Sequence, residues 1–430
     1  MAKFIIDGGH PIGGVVRTSG NKNAALPILC ASILAEGGVW IRNVPGIGDV
    51  ATLLALLENM GMRFVRQGNY DIRPIHLGLS DRPLDPKLCR LARGSVLLAV
   101  PMLHRFGRVE LPFPGGDKIG RRRIDTHLMV LEQMGAAIAA GPSSVVVTAP
   151  RGGLRGADLL LDEASVTATE NAVMGAALAR GNSIIRNAAC EPHVQELCRF
   201  LNQLGADISG IGTNVITVRG VEALGRSDQE TILGPDYLEV ASFMVLAIIT
   251  GGELTIETVS AEDLRMILFQ FRRLGMTAQI RNDDLFVPAA QPRRIQSDFR
   301  GAVPTIASST WPSFPADLTS IALVAATQME GSAMIHEKMF ESRLFFVDQL
   351  LDMGARIVLC DPHRAVAVGP TILHGSRMHS PDIRAGMALL AAALAARGES
   401  VIENVTQIDR GYERIDERLR LLGARITREK

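Results

Sequence analysis

The stretch LPFPGGDKIGRRRID, residues 111–125, sets one carboxylate, Asp117, beside Lys118 and ahead of Arg121, Arg122 and Arg123. Its prolines and glycines exclude helix or strand throughout, so the segment is a loop that concentrates charge. In SGNKNAALP, Lys22 and Asn23 precede an Ala/Leu-rich helix. A lysine there faces the positive end of the helix dipole, and a bound anion would resolve the conflict. An ordinary exposed lysine is the alternative. LARGS (Arg93), PADLTS (Asp317), FESR (Glu341, Arg343), PDIRAG (Asp382, Arg384) and IDRGYERI (Asp409, Arg410) also place charges at the edges of apolar helices. Taken singly, each reads as a surface ion pair worth under about 1 kcal/mol. Taken together, many arginines and one lysine suit a ligand rich in phosphate or carboxylate, held bidentately by guanidinium groups. Isolated aspartates among them would act as base or acid.

Other chemistries find little support. No G-x-G-x-x-G opens a helix after a strand, and GGDKIG lacks the Walker A spacing. The nine histidines form no HExxH pair, and five cysteines without CxxC spacing suggest a reduced cytoplasmic setting rather than a zinc site. A formal net charge of zero argues against a molecule built to grip nucleic acid or an anionic membrane, so anion binding must come from local clusters. The apolar run at residues 385–396 is too short to span a bilayer, and MAKFIIDGGH has no signal-peptide layout. Six lysines stand against thirty-nine arginines, which draws attention to each position that keeps a lysine.

The elements that must position these groups repeat six times. An Ala/Leu-rich helix ends near a glycine and runs into a short strand: GVWIRNV, GRVELPF, GNSIIRNA, GELTIET, GSAMIHE and GESVIEN. An amphipathic helix follows each and closes on Gly61, Gly135, Gly205, Gly275, Gly354 or Gly423, at intervals of 74, 70, 70, 79 and 69 residues. Glycine at those ends predicts left-handed helix caps, and alternating residues such as MRFVRQ and ARIVLC predict further strands. Each unit therefore reads strand–helix–strand–helix plus extra strands, and none buries both its faces alone. With 430 residues the chain exceeds one typical core, so three repeats per domain are expected, with a boundary near Gly234-Pro235. A continuous α/β solenoid is the alternative. Repeat symmetry would bring the charged edges to a common cleft between domains, and the loop at 111–125 is an insertion in one repeat.

The six repeats, SGNKNAALP, PGGDKIGRR, SVTATEN, PADLTS and IDRGYERI together resemble the UDP-N-acetylglucosamine enolpyruvyl transferases (UDP-N-acetylglucosamine 1-carboxyvinyltransferases) over essentially the whole chain. The resemblance implies a two-domain inside-out α/β barrel of six βαβαββ-like units, with residues 22–234 in one domain and 1–21 plus 235–430 in the other. It implies transfer of the enolpyruvyl group of phosphoenolpyruvate to the 3-hydroxyl of UDP-N-acetylglucosamine, the first committed step of peptidoglycan synthesis. That places the chain in the cytoplasm, in cell-wall biogenesis and hence in cell shape and division, with no cofactor, metal, nucleic acid or membrane insertion. By motif, Lys22, Arg122 and Arg410 would hold phosphoenolpyruvate, and Arg93 would reach towards the diphosphate. Asn23 and Asp317 would contact the N-acetylglucosamine, with Asp317 as base for the hydroxyl proton. Arg122, Arg123, Ile124, Asp125 and Thr126, with Ser165, Val166 and Thr167, would line the uridine-diphosphate pocket. Met339 would touch the sugar nucleotide, and Glu191, Asp236, Arg343 and Arg384 would complete the charged site.

The resemblance also makes the 111–125 loop a lid, with Arg122 meeting anions once it closes. Where this chain has Asp117 the family commonly has a cysteine, the residue alkylated by the epoxide fosfomycin. Tyr237, Gly48 and Thr167 stand where arginine, lysine and glycine are common. Asp117 would replace the thiol as proton donor, although protonating a free aspartate at pH 7 costs about 4 kcal/mol. Alternatively it assists product release while Lys22 or the phosphate supplies the proton. Two other functional readings stand beside the transferase: a silent sugar-nucleotide-binding copy, and an enolpyruvyl transferase for another acceptor.

Overall fold

The computed structural model describes residues 2–76, 78–225 and 230–429. Six sequence segments that begin at the repeated glycines form strands Ile41–Arg42, Arg108–Pro112, Asn182–Arg186, Leu254–Glu257, Gly331–His336 and Glu399–Glu403. Each belongs to a different sheet, so the sequence repeat is a structural one. The six closing glycines all have positive φ, between 83° and 102°. Asn43, Asn187 and Asn404 occupy the left-handed region directly after their strands, with φ of 61°, 56° and 58°. Asparagine tolerates that region better than most side chains, which is why RN or EN recurs there.

The chain divides into two compact units. Unit 1 comprises Met1–Ser19, Asp117–Arg121 and Pro235–Lys430; unit 2 comprises Gly20–Gly116 and Arg122–Gly234. Each has its own hydrophobic core, one built from residues such as Phe4, Phe243 and Leu389, the other from residues such as Ile28, Leu56 and Phe200.

In unit 1, the sheet around Gly331–His336 shows the pattern. Thr305–Ala307 pairs with it in parallel on one side, and Arg364–Gly369 pairs antiparallel on the other, followed by Ile357–Asp361. The parallel pair is joined through the helix Thr319–Thr327, whose nine residues are all buried. Helices Tyr237–Thr250 and Ile383–Ala395 are nearly as buried, and all three pack on one another. Helices apolar all round belong inside, whereas Ala261–Arg273 buries only the stripe Leu264, Ile267 and Phe271 and turns its charges outward. The N-terminal strand Lys3–Asp7 lies between Glu399–Glu403 and Arg425–Glu429, antiparallel to both, and so completes the last repeat.

Unit 2 follows the same plan with buried helices Lys22–Ala31 and Val166–Ala177. Its second repeat departs from it. The sheet Arg108–Pro112, Ser144–Thr148, Ala137–Ala140 has three strands, because the segment before its buried helix forms a helix, Pro86–Leu91, and a 3-10 turn, Arg93–Leu98, instead of an edge strand. Asp85 caps that helix by accepting the Lys87 N–H, with Pro86 at its first turn.

Candidate active site

Lys22, Asp236, Asp317, Asp382 and Arg384 lie at or just before the N-terminal ends of buried helices. In unit 1, Asp236 caps Tyr237–Thr250 and Asp382 caps Ile383–Ala395, each accepting two backbone N–H groups. Asp317 lies in the 3-10 turn that leads into Thr319–Thr327. Helix starts left with orphan N–H groups favour these carboxylates. Arg384, one residue inside its helix, is there against the dipole, and Asp317 supplies the compensation.

Asp317 is held from two sides. Arg343 Nη2 donates to Oδ1 at 3.0 Å, and Arg384 donates to Oδ2 through Nε at 3.1 Å and Nη2 at 3.0 Å. Both arginines are buried, at 3% and 5% exposure, while the Asp317 side chain is 30% exposed. The carboxylate is thus locked in orientation yet open to a small molecule. Burial opposes the charge on Arg384, but Asp317, Tyr412 and Asp236 outweigh it and hold the guanidinium well above its ordinary value. Tyr412 also accepts from Arg384 Nη1 at 3.2 Å and meets Ser242 Oγ at 3.0 Å.

Asp117 lies in unit 1 with Arg410, whose Nη1 donates to its Oδ1 at 2.6 Å; Gln407 takes the same nitrogen at 2.9 Å. Arg428 grips both oxygens of Asp409, at 2.8 and 2.7 Å, and so steadies the turn that carries Arg410. Burial and the charge of Asp117 push Asp382 above its ordinary value, against Arg343 and the two amides that it accepts from. Met339 is 40% exposed.

In unit 2, Lys22 is the first residue of its helix, after Asn21, which caps it by accepting from the Asn23 and Ala24 amides. The anion that its position demands is present within the chain: Lys22 Nζ donates to Asp49 Oδ2 at 2.9 Å, both side chains nearly buried. Asp49 sits in the first turn of Gly48–Asn59, directly after Gly48. Arg93 does not project freely; it clamps the carbonyls of Arg122 at 3.0 Å and Arg123 at 2.6 Å. Burial, then the charge of Arg122, lowers it to about 10. Arg123 pairs with Asp125, and Thr126 donates to Asp162. Ile124 and Ser165 lie just before their helices, Asp125–Gln133 and Val166–Ala177.

Thr167 engages His127. Asn171 Nδ2 donates to the Val96 carbonyl and to His127 Nδ1 at 2.8 Å, which leaves Nε2 as the protonated nitrogen, 3.1 Å from Thr167 Oγ1. Burial, then Arg93, lowers His127 to about 3, so the ring is neutral. Glu191 precedes Pro192–Gln203. Burial and Glu191 push Glu170 well above the ordinary carboxyl range, and its Oε1 has no hydrogen-bond partner among the described residues.

Sequence reasoning passed over Glu337. It is fully buried and takes Ser308 Oγ, Thr319 Oγ1 and the amides of Met339 and Phe340. Arg343 Nε lies 3.8 Å from it. A signal existed: GSAMIHE ends in glutamate where WIRN, IIRN and VIEN end in asparagine. Asp49 and Tyr412 carried no such mark. Tyr237 is buried against Trp311, ring centroids 5.8 Å apart.

The architecture is that of the enolpyruvyl transferases. The enolpyruvyl transferase NikO from Streptomyces tendae matches all of this chain with a TM-score of 0.87 at 23% identity, covering 99% of NikO. EPSP synthase from Acinetobacter baumannii matches with 0.73 at 18%, both chains covered in full. The family model of EPSP synthase (3-phosphoshikimate 1-carboxyvinyltransferase) matches residues 6–419. Three relatives named UDP-N-acetylglucosamine 1-carboxyvinyltransferase are more similar in sequence. Those of Bradyrhizobium diazoefficiens (51% identity; 99% of this chain, 98% of the relative), Bacteroides thetaiotaomicron (49%; 100% of each) and Treponema denticola (48%; 99% of each) span the chain. This chain belongs to the EPSP synthase family and, within it, to the UDP-N-acetylglucosamine 1-carboxyvinyltransferases.

Proposed function

We propose that this protein transfers the enolpyruvyl group of phosphoenolpyruvate to the 3-hydroxyl of UDP-N-acetylglucosamine and releases phosphate, in the cytoplasm, as the first committed step of peptidoglycan synthesis. The observation that carries this reading is identity of 48–51% to proteins of that name across essentially the whole chain. Asp317, oriented by Arg343 and Arg384, accepts the hydroxyl proton as oxygen attacks C2 of phosphoenolpyruvate and C3 is protonated. Loss of phosphate from C2 of the tetrahedral adduct, together with return of a C3 proton to the group that supplied it, leaves the enolpyruvyl ether. Lys22, Arg122 and Arg410 neutralise phosphoenolpyruvate, and Arg93 acts towards the diphosphate. Asn23, Asp317 and Met339 contact the sugar nucleotide, Arg122, Arg123, Ile124, Asp125 and Thr126, with Ser165, Val166 and Thr167, shape its pocket, and Glu191, Asp236, Arg343 and Arg384 complete the charged site.

For Asp117 the Arg410 ion pair favours a role in release. Its carboxylate occupies a guanidinium assigned to the substrate, so it competes with the anion there and helps expel it. Lys22 or the phosphate then supplies the proton. Phosphate release from phosphoenolpyruvate, assayed with and without UDP-N-acetylglucosamine, tests the reaction. Release that needs the sugar nucleotide and falls roughly 100-fold or more in Asp317→Ala is the expected result. No release with this acceptor would overturn the reading.

A further inference from the structure

Glu341 carries no role in the reaction as described, yet it sits against the segment Asp117–Arg121, which belongs with it to unit 1. Its Oε1 accepts the Arg121 amide at 2.8 Å, and the next residue's amide, Ser342 N–H, donates to the Ile119 carbonyl at 3.0 Å. Ile119 itself is 3% exposed. Gly120 lies between these two anchors with φ of 132°, and a Cβ there would come within 2.4 Å of Glu341 Oε2. Only glycine lets a carboxylate lie that close to the backbone in that conformation. The Arg121 amide and Glu341's own amide hold the Glu341 carboxyl below its usual range, consistent with an anion that accepts from main-chain donors.

The same turn reaches the base. Glu337, fully buried, fixes the amides of Met339 and Phe340 at its start. Glu341 and Ser342 then hold the loop, and Arg343 turns inward to Asp317. At the other end of the segment, Asp117 meets Arg410. Three consecutive residues therefore tie the loop tip and the Asp317 carboxylate to one piece of backbone.

We propose that Glu341 is a positioning residue for the transfer reaction: by taking the Arg121 amide it seats the segment Asp117–Arg121 so that Asp117 engages Arg410. This rests on the reading that Asp117 and Arg410 act in turnover. An acceptor is needed at position 341, not a charge as such, so glutamine serves and alanine does not.

Amide hydrogen exchange on the ligand-free protein, paired with steady-state kinetics, tests it. Glu341→Ala should speed exchange across residues 117–121 about 10-fold, the scale of one ordinary hydrogen bond. It should also lower kcat by a similar factor while leaving KM for the sugar nucleotide unchanged. Glu341→Gln should restore both protection and kcat. Unchanged exchange in Glu341→Ala, or exposure of the segment with full kcat, overturns the proposal, as does failure of glutamine to rescue. A separate variant isolates the underlying reading: if Asp117→Asn turns over normally while Glu341→Ala still exposes the segment, Asp117 is the part that fails and the docking stands.

Discussion

A carboxylate at position 117 differs from a thiol in what it can attack. The thiolate is a strong nucleophile; a carboxylate is a weak one, and Asp117 has its Oδ1 engaged by Arg410 at 2.6 Å. The protein should therefore keep its activity in fosfomycin, and Asp117→Cys should become sensitive to it. Intact-mass measurement after incubation checks both: an adduct on the unaltered chain contradicts the argument. His127 makes a second residue-scale case. Its folded value of about 3 lies below the ordinary 6.5, so between those limits the unfolded chain binds the extra proton. Its contribution to stability is complete above about pH 6.5 and is lost as pH falls towards 3, by up to about 1.4 kcal/mol per pH unit. Urea midpoints for His127→Gln should accordingly drop less between pH 7 and pH 4 than those of the parent. Equal drops would mean that the ring takes a proton inside the fold.

Elements that look identical in sequence differ in what surrounds them. Gly205 and Gly275 close equivalent helices with φ of 102° and 83°. A Cβ on Gly205 would meet nothing within 4 Å, whereas one on Gly275 would lie 2.4 to 2.7 Å from the backbone of Arg294. Gly205→Ala should cost only the left-handed strain, about 1–2 kcal/mol. Gly275→Ala must also push aside the Arg294 backbone, which is bridged to Glu330, and should cost about 1–3 kcal/mol more. Denaturant melts of the two variants check the order. The turn after each central strand makes the same point. Three repeats spend that position on asparagine, and the fifth spends it on Glu337, which anchors Arg343 and through it Asp317.

For the molecule as a whole, the chain's first strand belongs to its last repeat. Lys3–Asp7 fills an interior place in its sheet, with Phe4 and Ile6 fully buried. Removing an interior strand leaves two neighbours with unpaired edges and opens the core of unit 1. A chain beginning at Gly9 should therefore lose protection from protease throughout residues 235–430, while residues 122–225 remain resistant. Uniform resistance in that truncation would show that the sheet closes without its N-terminal strand.

Six repeats, their strands and their glycine-capped helices were legible because local physics writes them: a left-handed cap needs glycine, and a helix buried all round needs apolar residues on every face. Lys22 was legible for a related reason, since it is misplaced against the dipole and signals a compensating anion, whereas Arg384 stood out only as a charge at the edge of an apolar helix. What compensates them was not. Asp49 lies twenty-seven residues from Lys22, and Asp317 lies sixty-seven from Arg384. Ion pairs of that separation depend on which helix ends the packing brings together, not on spacing along the chain. The same holds for the Arg93 clamp on the Arg122 and Arg123 carbonyls and for the seat that Glu341 offers Gly120. Sequence determined which residues stand out; only the packed helices and sheets decided which of them meet, because partner choice is made by tertiary contact.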